Sequence, residues 1–365
     1  MRIAYLNTLG IPARYRGFET CVEEIGTRLV KRGHEVTVYC ADSDSTRRVS
    51  SYQGVRLISV PHSRNKFLDY PFRSLISTLD AISRDLDVLH YYGTDSAIFT
   101  ILPRVLSRKV VISLDGRAWN RISYPIWVRA ALWLSSWPAL YVPQAITVDS
   151  MSVREWYRSR CGKAPIFIPY GAEVSPRGAD PEALRRFGLE RDEYVLFVGA
   201  LIPEKGIHYI IQAFKGIESK FQLAIVGANP YESSYERSLR KLAGRDVKFL
   251  GSVWGPEIEN LYKGAYLYVN ASETEGTSPA LLSAMGCGNC VLVSDIPENL
   301  ETIGNAGIPF RNRDSEDLRK KIQQLLTDAE MVEAYRKKAV HRVAQLYSWD
   351  SVADQMERLY SSLIK

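Results

Sequence analysis

Short apolar runs alternate with amphipathic stretches along most of the chain. "RIAYLN" at the amino terminus predicts a strand, "GFETCVEEIGTRLVKRG" a helix with apolar positions at helical spacing, and "HEVTVYC" a second strand. The series continues through "VRLISV", a helix around 73–84, "DVLHYYG", a helix to Ser107, "VVISLDG", "AITVDS" and "IFIPYG". A polar stretch with Pro176, Gly178 and Pro181 then breaks the pattern. Strands resume as "YVLFVG", "FQLAIVG", "VKFLG", "AYLYVN" and "CVLVSD", and three helical segments follow, about 314–327, 330–346 and 349–363. Strands alternating with helices predict parallel sheets covered on both faces. The interruption predicts two domains, 1–172 and 173–348, with the last helix, about 349–365, packing back on the first.

A length of 365 residues suits two cores better than one. No uncharged apolar run of about 18 residues appears, so no membrane span is expected. The first residues read as a strand and not as a signal peptide, because no apolar core follows Arg2. The five cysteines are scattered, which suits a reducing cytoplasm. Cys287 and Cys290 form a lone CxxC with no further ligands nearby and read as small buried residues. Charge divides unevenly: residues 1–175 hold 23 Lys and Arg against 15 Asp and Glu, the remainder 24 against 26. The first half is therefore suited to an anionic surface or a phosphate-bearing acceptor. Nothing marks a nucleic-acid partner. Neither half carries GxGxxG after its first strand, which disfavours a dinucleotide dehydrogenase.

Open parallel sheets bind ligands beyond the carboxyl ends of their strands, and five loops at such ends carry chemistry. In "VGALIPEKG" the strand ends at Gly199, and Lys205 precedes a helix start that favours anions. In "ASETEGTSPALLSAMGCG", Glu275 precedes Gly276, Thr277, Ser278 and Pro279. Ser278 suits a helix cap and Pro279 the first helical position, so the amides of residues 277–281 are expected to bind an anion beside Glu275. In "GIPARYRGFET", Gly10 and Gly17 allow close backbone approach while Arg14 and Arg16 supply charge. "SLDGRAWNR" places Asp115, Arg117, Trp119 and Arg121 together, and "LHYYG" is read as placing His90 at a strand end.

These motifs, with "RGHEVTVY", make the chain resemble the family 4 retaining glycosyltransferases of the GT-B type nearly end to end. "GIPARYRGFETCVEEI", "DGRAWNR" and "IPYGA" are similar to the rhamnosyltransferase-type subgroup. The resemblance implies two facing Rossmann-like doubly wound domains with a cleft between them. The carboxy-terminal domain would bind the nucleotide diphosphate sugar and the amino-terminal one the acceptor. The family's paired acids fall on Glu275 and Ser283, and its diphosphate-binding Arg and Lys on Ala200 and Lys205. Two of these four positions depart from the pattern, which implies an active but diverged donor site. Transfer would proceed with retention and without a metal, the leaving phosphate helping to take the acceptor's proton. On this reading Glu275, Asp115 and His90 are the catalytic candidates. Gly17, Arg16, Gly199, Lys205, Gly276, Thr277, Ser278 and Ser283 meet the donor, and Arg14, Arg117, Trp119 and Arg121 the acceptor.

The segment 122–143 carries three tryptophans and is more apolar than a surface helix requires. Two readings stay open for it: ordinary packing within the first domain, or a peripheral contact with the inner face of the membrane beside a saccharide or lipid-linked acceptor. A non-catalytic partner with a degenerate donor site and a sugar-nucleotide epimerase are the alternatives.

Overall fold

The computed structural model describes residues 1–13, 17–41, 49–61, 69–114, 126–217, 219–228 and 234–364. It divides into two compact units, Met1–Tyr170 with Trp349–Lys365, and Gly171–Ser348.

Unit 1 is built on an eight-stranded sheet of β1 (Arg2–Leu6), β2 (Glu35–Ala41), β3 (Ser51–Tyr52), β4 (Val55–Val60), β5 (Val88–Tyr92), β6 (Lys109–Leu114), β7 (Ala145–Val148) and β8 (Ile166–Phe167). Their order is β3-β4-β2-β1-β5-β6-β7-β8. All neighbours are parallel except β3 and β4, a hairpin turning at Gln53 and Gly54, both with positive φ. The central strands are buried along nearly their whole length, as a sheet with helices on both faces demands. Those helices are α1 (Gly17–Lys31), α2 (Asp69–Ser83), α3 (Ile101–Val105), α4 (Ile126–Tyr141) and α5 (Met151–Cys161). A 3-10 turn, Thr94–Thr100, occupies the first half of the region read from sequence as a helix to Ser107, and α3 lies in the second.

Unit 2 has a six-stranded parallel sheet of β9 (Tyr194–Val198), β10 (Gln222–Val226), β11 (Val247–Gly251), β12 (Leu267–Asn270), β13 (Cys290–Ser294) and β14 (Ile308–Phe310). The order is β11-β10-β9-β12-β13-β14, the doubly wound arrangement, which reverses direction between β9 and β12. The covering helices are α6 (Pro181–Arg185), α7 (Ile207–Phe214), α8 (Ser234–Leu242), α9 (Gly255–Gly264), α10 (Pro279–Gly286), α11 (Pro297–Ile303), α12 (Ser315–Thr327) and α13 (Ala329–Leu346). Asp314 and Asp328 cap α12 and α13 by accepting first-turn amides, at 3.0 and 2.9 Å. The core between sheet and helices joins Val195, Phe197, Ile210, Ile211, Leu292 and Leu318. Cys287 and Cys290 are buried, free thiols.

The last helix, α14 (Trp349–Ile364), belongs to unit 1, where it packs on α1. Arg28 meets Asp350 at 2.9 Å, and Arg32 and His34 both reach Glu357, at 2.8 and 2.7 Å. Beneath these ion pairs the fully buried Tyr360 hydroxyl lies 2.6 Å from His90 Nδ1 and donates to Tyr5 at 3.2 Å.

Candidate functional site

The reversal of strand order in unit 2 leaves room at the carboxyl ends of β9 and β12, and the loops leaving these strands meet there. The β9 loop turns through Pro203–Lys205 and enters α7 at Gly206, whose φ is +64°. A Cβ on Gly206 would lie 2.0 Å from the Ala271 carbonyl oxygen, so only glycine lets this turn pass against the β12 exit. The amide of Glu273 donates to the Glu204 carbonyl at 2.8 Å and stitches the two loops together. A second close approach sits beside it. Gly227, at φ +138°, would drive a Cβ to 1.9 Å from the Gly199 carbonyl, joining the β10 and β9 exits.

This turn places Lys205 Nζ in direct ion-pair contact with Glu275 Oε1. The carboxylate is mostly enclosed, 11% exposed against 25% for the lysine. The same oxygen accepts from Ser272 Oγ at 2.7 Å. Ser272 is itself held through both its amide and its carbonyl. Its amide donates to Asn270 Oδ1 at 3.0 Å, and its carbonyl accepts from Ser294 Oγ at 2.6 Å. Asn299 Nδ2 donates to that serine oxygen at 2.9 Å. Buried polar side chains thus position the acid before any ligand arrives.

Four residues beyond Glu275, α10 begins with Pro279 at its first position and Ser278 as cap. Here the structure narrows the expectation of amides from 277 to 281. Pro279 has no N–H, and that of Leu281 goes to Ser278 Oγ at 3.4 Å, the cap consuming one donor of the first turn. Ser283 is half-buried one turn into α10, and Ala200 is exposed in the β9 loop. Gly199 donates its amide to Val226 at 3.0 Å, at the β9 carboxyl end.

Sequence reasoning missed a neighbouring set. Glu273 accepts from Tyr209 at 2.9 Å and pairs with Arg313 at 2.6 Å, tying the β12 loop to α7 and to the chain after β14. The signal was the first acid in "SETEG". Nothing in the pattern showed that it faces Arg313. His208 is pushed below its ordinary pKa by burial and shares a hydrogen bond with the Tyr235 hydroxyl at 2.8 Å.

In unit 1 the structure changes the reading of His90. It is the third of five residues in β5, in register with Tyr5 and Val111, and not at the strand's end. The strand runs on through Tyr92 before Gly93, at φ +86°, ends it. His90 is fully buried, stacked on Tyr92 with ring centroids 4.6 Å apart. Its nitrogens are engaged by Tyr360 and, at 2.7 Å, Ser113. Burial pulls its pKa down to about 3, so it is a neutral core residue without access to a substrate. Gly17 opens α1, and Glu19 and Glu23 of that helix accept the amides of Leu9 and Ala13, at 2.8 and 2.5 Å. Arg14, Arg16, Asp115, Arg117, Trp119 and Arg121 lie outside the described residues. Among the described residues no helix is long and apolar enough to cross a membrane, and no cluster of three His, Cys, Asp or Glu could hold a metal.

Residues 15–182 match the family model of Glycosyltransferase Family 4, and residues 181–342 that of glycosyl transferases group 1. An uncharacterized glycosyltransferase of Methanocaldococcus jannaschii is 31% identical over 388 residues, covering 99% of this chain and 98% of that protein. The chain belongs to the family 4-type glycosyltransferases. A more distant glycosyltransferase relative, the O-antigen chain mannosyltransferase B of Escherichia coli, is 26% identical over 186 residues, 49% of each chain. The GT-B fold is shared with solved structures. Sucrose-phosphate synthase from Thermosynechococcus elongatus superposes with a TM-score of 0.86 at 21% identity, over 99% of this chain and 98% of that one. Anabaena HepE in complex with UDP-glucose gives 0.83 at 17%, over 99% of each. In this glycosyltransferase, then, the Lys205–Glu275 pair and the α10 start occupy the switch point of the second Rossmann-like unit.

Proposed function

We propose that this glycosyltransferase moves a hexosyl or deoxyhexosyl group from a nucleotide diphosphate sugar to a saccharide or lipid-linked saccharide, with retention, in polysaccharide or glycolipid synthesis. The observation that carries the reading is the Lys205–Glu275 contact at the switch point of unit 2. A diphosphate competes for the lysine and for the amides that remain at the α10 amino terminus. The carboxylate, fixed by Ser272, then accepts hydrogen bonds from the sugar's hydroxyls. As the glycosidic bond breaks, charge grows on the departing diphosphate. Lys205 stabilises that charge more than it stabilises the bound donor, which is what accelerates transfer.

Basic side chains and a helix end supply this neutralisation, so the reaction proposed needs no metal and no protein nucleophile. Ser283 contacts the ribose with one hydrogen bond where a glutamate would accept two. For the acceptor the sequence offers Asp115, Arg14, Arg117, Trp119 and Arg121, and for the donor Arg16 and Gly17 besides. A sugar of the rhamnosyl type is supported by the resemblance of "GIPARYRGFETCVEEI" and "DGRAWNR". The UDP-glucose bound by HepE and the mannosyl transfer named for the E. coli relative support a nucleotide-activated hexose. Acceptors of this kind place the enzyme at the inner face of the membrane, which it touches through residues 122–143.

The test is a donor screen. The protein is incubated with UDP-, GDP- and dTDP-sugars and lipid-linked saccharide, with and without chelator. Transfer with retained anomeric configuration and unaffected by chelator is expected. Isomerised donor, or no turnover with any donor by a folded protein, overturns the reading.

A further inference from the structure

The helix α4 is apolar on both of its faces. Leu132, Ser136, Ala139 and Leu140 form the stripe turned into unit 1. The opposite face carries Ile126 (81% exposed), Trp127, Trp133, Leu134 (62%), Trp137 and Tyr141 in water, without one charged residue among them. A surface helix of a water-soluble protein is polar on that side, as α14 is with Asp350, Asp354 and Arg358. The exposed face of α4 is therefore built to be covered.

The surroundings extend this face. α4 packs on the 3-10 turn Thr94–Thr100, and the chain runs from that turn directly into α3. There Ile98, Ile101, Val105 (75% exposed) and Leu106 are again apolar and exposed. This second element was not visible in the sequence pattern, which showed only a helix ending near Ser107. The rim has a consistent chemistry. Among the described residues of 96–148, Arg104, Arg108, Lys109 and Arg129 are basic and none is acidic. The Lys163 ammonium sits 5.2 Å over the ring of Tyr141, which stacks on Trp137 at 6.3 Å.

We infer that α4 and the 98–106 segment together form a docking surface for an anionic lipid bilayer, into which their aliphatic side chains insert while the tryptophans and basic residues stay at headgroup level. Trp and Tyr favour the boundary between hydrocarbon and water, and basic residues gain from anionic headgroups. At 16 residues, with one stripe kept on the protein, α4 lies in the boundary and does not cross it. A second copy of the chain fits less well, because a two-fold contact would oppose two basic rims. The inference rests on the proposed acceptor only for its purpose. Its physical content is independent of the donor chemistry.

The whole chain is co-sedimented with vesicles of phosphatidylglycerol or of phosphatidylcholine, alongside Leu134→Glu, Trp137→Glu and Val105→Glu. These positions are already in water, so the fold is retained, which circular dichroism checks. The wild type is expected to bind phosphatidylglycerol at least roughly tenfold better than phosphatidylcholine, with a blue shift of tryptophan emission. Each substitution is expected to weaken binding several-fold, Val105→Glu included, with nucleoside diphosphate affinity unchanged. No binding to either vesicle overturns the inference, as does a soluble dimer or a bound protein partner that the same substitutions disperse. Vesicle binding without sugar transfer would instead overturn the proposed function and leave this inference standing.

Discussion

Replacing Glu275 with glutamine separates two roles that the ion pair combines. The amide is nearly isosteric and keeps an oxygen for Ser272 Oγ, which donates at 2.7 Å, so the β12 loop should hold its course. Lys205, however, loses the carboxylate it touches. A charge-assisted hydrogen bond is worth about 1.5–3 kcal/mol, and with a quarter of the lysine exposed the upper part of that range is screened away. About 1–1.5 kcal/mol of competition is removed, so a nucleoside diphosphate should bind Glu275→Gln roughly five- to tenfold more tightly than wild type. Transfer should move the opposite way, falling at least about a hundredfold, roughly 2.7 kcal/mol of barrier, because the sugar loses its anionic partner. Calorimetric titration of UDP, GDP and dTDP measures the first effect, and single-turnover transfer the second. Unchanged or weaker diphosphate binding would show that Lys205 is not restrained by Glu275 in solution. Near-normal transfer by the folded variant would remove Glu275 from the site.

Lys205→Ala should weaken the same diphosphate roughly tenfold or more, Ala200 offering no charge to compensate, and an unchanged dissociation constant would mean the anion is held elsewhere. Ser283→Glu, at a half-buried position on α10, should tighten donor binding by up to roughly 1.5–3 kcal/mol through added ribose hydrogen bonds; loss of affinity or of folding would show that no ribose lies there. Gly206→Ala should destabilise unit 2 by about 1–3 kcal/mol and loosen diphosphate binding, since its Cβ meets the Ala271 carbonyl at 2.0 Å; a variant that melts like wild type refutes the close approach. His90 stays neutral in the fold down to about pH 3 while an unfolded histidine protonates near 6.5. The unfolded state thus binds the extra proton below pH 6.5, and between pH 7 and 5 unit 1 should lose about 2 kcal/mol that His90→Asn does not lose. Urea unfolding followed by tryptophan emission reads this, six of the seven tryptophans being in unit 1, and parallel pH profiles would refute it.

The two sheets were legible because parallel strands buried on both faces read as apolar runs, and "VRLISV" is β4 residue for residue. What escaped was short. β3 and β14 have two and three residues, too few for a period, and the 3-10 turn at Thr94–Thr100 shares its apolar spacing with a helix. Lys205 and Glu275 could be chosen from sequence because each closes a strand–loop–helix passage. Their direct contact depends on Gly206 passing Ala271, which no local pattern encodes. Ser272 and Arg313 support the site through partners distant in sequence, Ser294 and Glu273, and so gave no signal. His90 misled because an imidazole near a glycine resembles a loop residue, whereas sheet pairing carries the strand two residues further.

That α14 belongs to unit 1 has a consequence for how the chain is made. A ribosome delivers residues 1–170, then all of unit 2, and only afterwards the helix that lies on α1. At about 5–20 residues per second the nascent first unit waits roughly 10–35 s without its last helix, with Tyr5 and His90 lacking the Tyr360 hydroxyl. Unit 2 is contiguous and can finish first, although it is synthesised second. The nascent first unit is therefore the part that chaperones should hold longest. A circular permutant that begins at Trp349 and runs on through Met1 would make both units contiguous, and should shorten chaperone dependence in a cell-free translation system.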